Sequence, residues 1–146
     1  MADLAFPEVP QRASFRDSTD ACRASVIQPR DDLGLAPQLR AGLAARMCVL
    51  IGQAEMAAAY RAGLDGLALQ IAQGALPSDL GDAGAAAMAR HCDHITSHPA
   101  DATRGDIDAL VAAGLSVPQI IALSELVAFI NYETRIRQGH ALLEGF

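Results

Sequence analysis

Three cysteines, Cys22, Cys48 and Cys92, are the side chains best suited to nucleophilic or redox work, and they lie far apart. No Cys-x-x-Cys pair occurs anywhere in the chain. A thiolate that opens a disulfide cycle therefore has no resolving thiol beside it. An odd count at wide spacing is also a poor disulfide framework. The plainer reading is three reduced thiols, at least two of them set into helix faces as small buried fillers. As a nucleophile, Cys48 would need a basic neighbour or a helix N-terminus to lower its pKa. Arg46 is close in sequence, but residues two apart point to different faces of a helix. A mid-helix position also gains nothing from the dipole.

Histidines form the strongest polar cluster. His91, His94 and His98 follow one another at offsets of three and four, beside Cys92. On one helix face they could offer imidazole to Zn²⁺ or Ni²⁺. Three ligands from one helix rarely close a site without a fourth from elsewhere, so no metal site is assigned. The plainer reading is a solvated stripe near a helix end, where a cation also suits the dipole. Glu125 and Glu133 interrupt the most apolar segment of the chain. Glu125 is the candidate for burial, with Arg135, Arg137 or a neighbouring subunit's arginine as its partner. A buried carboxylate with a shifted pKa can serve as a general acid or base. It is more often half of a structural ion pair, or simply faces solvent.

Helices must position these groups. The 146 residues suit one domain, and 51% of them are apolar while only 4% are aromatic. Alanine supplies much of the apolar count, and it is the best helix former. A compact all-α bundle of closely approaching helices follows. A domain of this size buries roughly 68–70% of its unfolded surface and needs no disulfide or structural metal. The net charge is −6, and all eleven basic residues are arginine, scattered along the chain. That balance excludes a nucleic-acid partner, because phosphate contacts need a basic patch. A membrane span is excluded too. The longest apolar stretch, Ile120 to Ile130, is broken by Ser124 and Glu125 and falls short of the roughly 20 residues required. The first ten residues carry Asp3 and Glu8 and lack the basic and apolar regions of a secretory signal. A cytoplasmic protein is expected.

Punctuation sets the boundaries. Residues 1–36 are irregular, broken by Pro7, Pro10 and Pro29, with room for a short helix between Ala13 and Ile27. The helical core, 37–146, opens at Pro37, a residue favoured in a first turn. Leu39, Leu43, Met47, Leu50 and Ile51 give the next stripe, and Gly52 interrupts it. Ala54 to Leu64 forms the following helix, which Leu67 to Ala72 either extends or follows as a separate turn. Asp82 caps a helix over Ala83 to Ser97, closed by Pro99. Thr103 with Asp106 forms a capping box before Ile107, Leu110 and Val111. Ala113–Gly114–Leu115 reads as a Schellman stop. Ser116 with Gln119 caps the last helix, which runs toward Leu143. Its buried stripe is Ile120, Leu123, Val127, Ile130 and Tyr132, and Gln138 falls on its solvent side.

The segment from Asp106 to His140 reads DIDALVAAGLSVPQIIALSELVAFINYETRIRQGH. A short helix ending in AAGLS, then a long one containing VAFINYETR, resembles the C-terminal half of AhpD-like and carboxymuconolactone decarboxylase domains. In that family a similar helix carries an Asn-aromatic pair followed by Arg, here Asn131, Tyr132 and Arg135. Upstream, LRAGLAARMCVLIG followed by YRAGL resembles the helix that holds the family's active site, and His94 to Ile107 resembles its connector. The likeness spans residues from about 37 to 143.

The resemblance implies an all-helical AhpD-like bundle of antiparallel helices, homo-oligomers, and either dithiol peroxidase or lactone decarboxylase chemistry. Peroxidase members use Cys-x-x-Cys followed by His, with an upstream Glu relaying protons. Two registers fit. One puts Cys48 at the first cysteine, Ile51 at the second and Glu55 at the histidine. The other puts Gln53 and Met56 at the cysteines, Tyr60 at the histidine and Ala41 at the relay. Neither keeps the dithiol, so dithiol peroxidase turnover is not expected. The candidates for chemistry are then Cys48, Glu55 and Tyr60. Phe129, Asn131 and Tyr132 are the candidates for an apolar pocket holding a small organic ligand. No cofactor is implied. The other reading is a non-catalytic oligomeric binding or scaffold protein on the same fold.

Overall fold

Proline and glycine punctuation divides the described residues into seven α-helices. The computed structural model describes residues 13–145, and the expectations for the first twelve residues lie outside them. The helices are α1 (Ala13–Ile27), α2 (Pro37–Leu50), α3 (Ala54–Arg61), α4 (Gly66–Ala72), α5 (Ala83–Ser97), α6 (Arg104–Ala112) and α7 (Val117–Glu144). Single 3₁₀ turns at Pro77–Asp79 and Pro99–Asp101 precede α5 and α6. No strand occurs among the described residues. The all-α expectation holds, and Leu67–Ala72 belongs to a separate helix, α4.

Caps stand where the residues place them. Asp82 accepts from Ala85 N–H at 2.7 Å, satisfying one of the orphan donors at the start of α5. Reciprocal capping boxes start α6 and α7. Between those two helices Gly114 takes φ +92°. Leu115 N–H then reaches back to Leu110 O at 3.2 Å, and Gly114 N–H to Val111 O at 3.0 Å. This is the Schellman pattern, with Leu115 buried behind it.

α2 is the centre of the bundle and packs against α3, α4, α5, α7 and α1. Its residues from Gly42 to Cys48 are all buried, so it is covered on every side. The expected single stripe therefore understates it. Leu43 and Met47 are buried, but Leu50 at its end is 49% exposed. Gly42 shows how tightly α2 is held. A Cβ there would stand 2.6 Å from the carbonyl oxygen of Ala68 in α4, closer than any side chain tolerates.

Two arginines in α2 are buried as well, which the stripe did not foresee. Arg40 donates to three backbone carbonyls, Leu35 and Asp32 at 2.6 Å each and Val26 at 2.9 Å. It thereby ties the end of α1 and the following loop to α2, and the Val26 carbonyl is one that the helix end leaves unpaired. Burial lowers its pKa. Arg46 forms a two-pronged bond to Asp93 of α5, both contacts at 2.7 Å, and a third to Ala75 O at 2.7 Å. The planar guanidinium suits both arrangements.

α7 buries Ile120, Leu123, Val127 and Ile130 as its phase requires. Tyr132 is not on that stripe and is 39% exposed, because two residues turn about 200° around a helix. Gln138 is half-buried, and its side-chain N–H donates to Ile51 O at 3.2 Å, so it is not a free solvent position. In α6 only Leu110 is buried, while Ile107 and Val111 are exposed. No described helix is long and apolar enough to cross a membrane.

Candidate functional site

Polar chemistry collects in two places. The first is sealed inside the bundle where α1, α2, α3 and α7 meet. Glu133, on α7, has no exposed surface. Its Oε1 accepts from Arg23 Nε of α1 at 3.0 Å and also from Arg23 Nη2. Arg137, one turn further along α7, donates to the same oxygen at 3.4 Å. The other oxygen, Oε2, accepts from the Tyr60 hydroxyl of α3 at 3.2 Å. Arg23 holds a second carboxylate, Asp20, at 2.8 Å. Burial works against the Arg23 charge, but its bonds to Glu133 and Asp20 outweigh that, and its pKa is raised.

Cys48 lies near this cluster, fully buried on α2. Burial, reinforced by the Glu133 charge, pushes its pKa up to about 12. Tyr60 is pushed up for the same two reasons. Both groups stay protonated at neutral pH, so neither is a nucleophile there. Cys92 is also fully buried, and burial raises its pKa. Cys22 is exposed, and all three thiols are free.

Of the catalytic candidates, the structure brings together Cys48 and Tyr60. Glu55 is exposed in the first turn of α3. The buried carboxylate is Glu133, while Glu125 is exposed, which reverses the expectation for this pair. Its partner Arg23 lies 110 residues away in α1, too remote for local spacing to reveal.

The pocket candidates do not converge either. Phe129 is buried and packs near Tyr132, with ring centroids 6.3 Å apart. Tyr132 meets Phe15 of α1 edge-on at 6.2 Å. Asn131 points another way: its amide donates to Thr96 Oγ1 of α5 at 3.2 Å and to Val127 O at 2.9 Å. Arg135 then donates to the Asn131 side-chain oxygen at 2.7 Å. These three therefore serve as an aromatic clasp and an α5–α7 tie.

The second place is open. α5, α6 and α7 enclose a cleft of about 390 Å³, lined by apolar Ile95, Ile107 and Val127 and by polar His91, Thr103 and Asp106. A smaller cleft of about 240 Å³ lies beside it and shares His91 and Asp106. His91 is 9% exposed, and its Nδ1 has no hydrogen-bond partner. Burial, with His94 adding to it and Asp106 opposing, lowers its pKa. Asp106 Oδ2 accepts from Thr103 N–H at 2.7 Å. That bond is the main reason its own pKa is lowered, with help from His94.

The three clustered histidines thus separate in role. His94 and His98 stack at 6.2 Å, and His91 turns inward. No group of three or more His, Cys, Asp or Glu side chains among the described residues could hold a metal ion. No model of a known protein family matches the chain, and no curated protein matches it.

Proposed function

We infer that this chain is an AhpD / carboxymuconolactone decarboxylase-like protein that works by binding rather than by thiol chemistry. The observation that carries this reading is Cys48. It is the thiol that one register of the resemblance puts at the reactive position, and it is fully buried and protonated beside an anionic carboxylate. The resemblance itself is supported by the capped α6–α7 pair, with its glycine stop. Self-association fits the same reading, since Val49, Leu142 and Leu143 expose more than half of their surface and Leu50 49% of it. A small organic molecule is the other partner.

The test is a steady-state assay with a dithiol donor and an organic hydroperoxide. No turnover above the protein-free rate is expected. Robust turnover abolished by Cys48→Ser would overturn the reading. Light scattering at micromolar concentration should give a mass above the 15.2 kDa of one chain.

A second reading, lactone or small-acid chemistry, has one observation behind it: the Tyr60–Glu133 hydrogen bond pairs a proton donor with a carboxylate. It requires a substrate to reach two residues with almost no exposed surface.

A further inference from the structure

We propose that the cleft between α5, α6 and α7 binds a small single-ring apolar molecule with a hydrogen-bond-donor head, an amine or a phenolic hydroxyl. This deepens the binding reading above and stands on different residues from those that argue against thiol chemistry. The cleft's volume of about 390 Å³ falls in the range of small-ligand sites, roughly 300–1,000 Å³. Its walls, Ile95, Ile107, Val127 and Ala128, offer apolar contact to a ring.

The head group follows from what the polar side chains leave unspent. Ser124 Oγ already donates to Ile120 O at 2.8 Å. Thr103 Oγ1 leans on Asp106 Oδ2 at 3.3 Å. Arg104 has a 92% exposed side chain drawn toward Asp108. Two capacities remain. Asp106 Oδ1 stands 3.7 Å from His94 Nε2, too far for a hydrogen bond. His91 Nδ1 has no partner at all, and buried polar groups in folded proteins almost always have one. A carboxylate oxygen only accepts, and a neutral imidazole has one accepting nitrogen. A ligand that donates meets the Asp106 oxygen, whichever nitrogen of His91 carries the proton. A ligand carboxylate would meet the Asp106 charge in a chain whose net charge is −6, and is disfavoured.

The experiment titrates the full chain with phenol, benzylamine and benzoate, followed by amide and imidazole NMR spectra. Saturable shifts at His91, Ile107 and Ala128 are expected with the two donors, and benzoate should bind at least about tenfold more weakly. Response to one donor alone supports the site and names its head group. Ala128→Phe, at an exposed cleft position, should fill the space and abolish the shifts while its circular dichroism stays that of the parent. Ile107→Trp provides a second block if that variant folds poorly. The proposal is overturned if neither donor gives saturable shifts, if the shifts survive both blocking variants, or if benzoate binds as tightly as the better of the two donors. None of these outcomes touches the hydroperoxide assay, so the two readings fail separately.

Discussion

The clusters around Glu133 and around His91 each hold a carboxylate, Glu133 in one and Asp106 in the other, and are treated in opposite ways by the fold. Both oxygens of Glu133 are engaged, by Arg23, Arg137 and Tyr60, with no solvent at the carboxylate. At His91 a nitrogen is left over beside an open cleft. A buried charge whose partners are all in place is a structural commitment, since removing one partner strands the rest. A buried nitrogen without a partner is a standing cost. The inward cluster therefore reads as a lock joining α1, α3 and α7, and the outward one as a cleft whose polar capacity is left unspent.

The sharpest way to break that contrast is to truncate the carboxylate. Glu133→Ala leaves the Arg23 and Arg137 charges in the interior and should cost roughly 3–5 kcal/mol in a urea melt. A loss near zero would mean the cluster is not a lock. Tyr60→Phe removes one bond to an ionised group and leaves both arginines on Glu133. The expected loss is about 1.5 kcal/mol, the low end for such bonds, since this one is long.

His91→Phe should have the smallest effect, within about 1 kcal/mol of the parent at neutral pH, because it removes an unsatisfied group and keeps most of the packing. Its signature is in the pH profile. The folded state lowers the His91 pKa, so as pH falls below about 6.5 the unfolded chain takes up a proton before the folded one does. Stability then drops with falling pH, and His91→Phe should remove that portion of the drop. Asp106, whose pKa is also lowered, supplies a separate loss at more acid pH that the variant should retain. Melts of parent and variant that stay parallel from neutral to mildly acid pH would remove His91 from the account.

Local chemistry was legible in the sequence and distant pairing was not. The caps at Asp82, Thr103 and Ser116 and the stop at Gly114 depend on residues within a few positions of one another, and all four formed. The α7 stripe from Ile120 to Ile130 followed from helical phase. The same phase separates the two carboxylates: from the centre of that stripe Glu125 falls about 180° away and Glu133 about 100°, so Glu133 is the nearer to the core, and what the sequence hid was the distant Arg23 that meets it there. Arg40 and Arg46 were missed because arginine normally signals solvent. Here each guanidinium finds three hydrogen bonds inside. Exposed Leu50, Ile107 and Val111 err the other way: helical phase marks a face but does not say whether a neighbour covers it.

The Arg23–Glu133 pair also imposes an order of events on a chain emerging from the ribosome. Arg23 is made 110 residues before its carboxylate. At about 5–20 residues per second, it waits on the order of 5–20 s for a partner. Throughout that interval α1 can rest on α2 through Arg40 and its carbonyls, but its inward arginine has only Asp20, on its own helix, to answer it. The docking of α7 onto α1 is therefore a late, long-range closure, of the kind that slows folding. A nascent chain stalled before residue 133 would hold α1 through Arg40 and without the Glu133 contact.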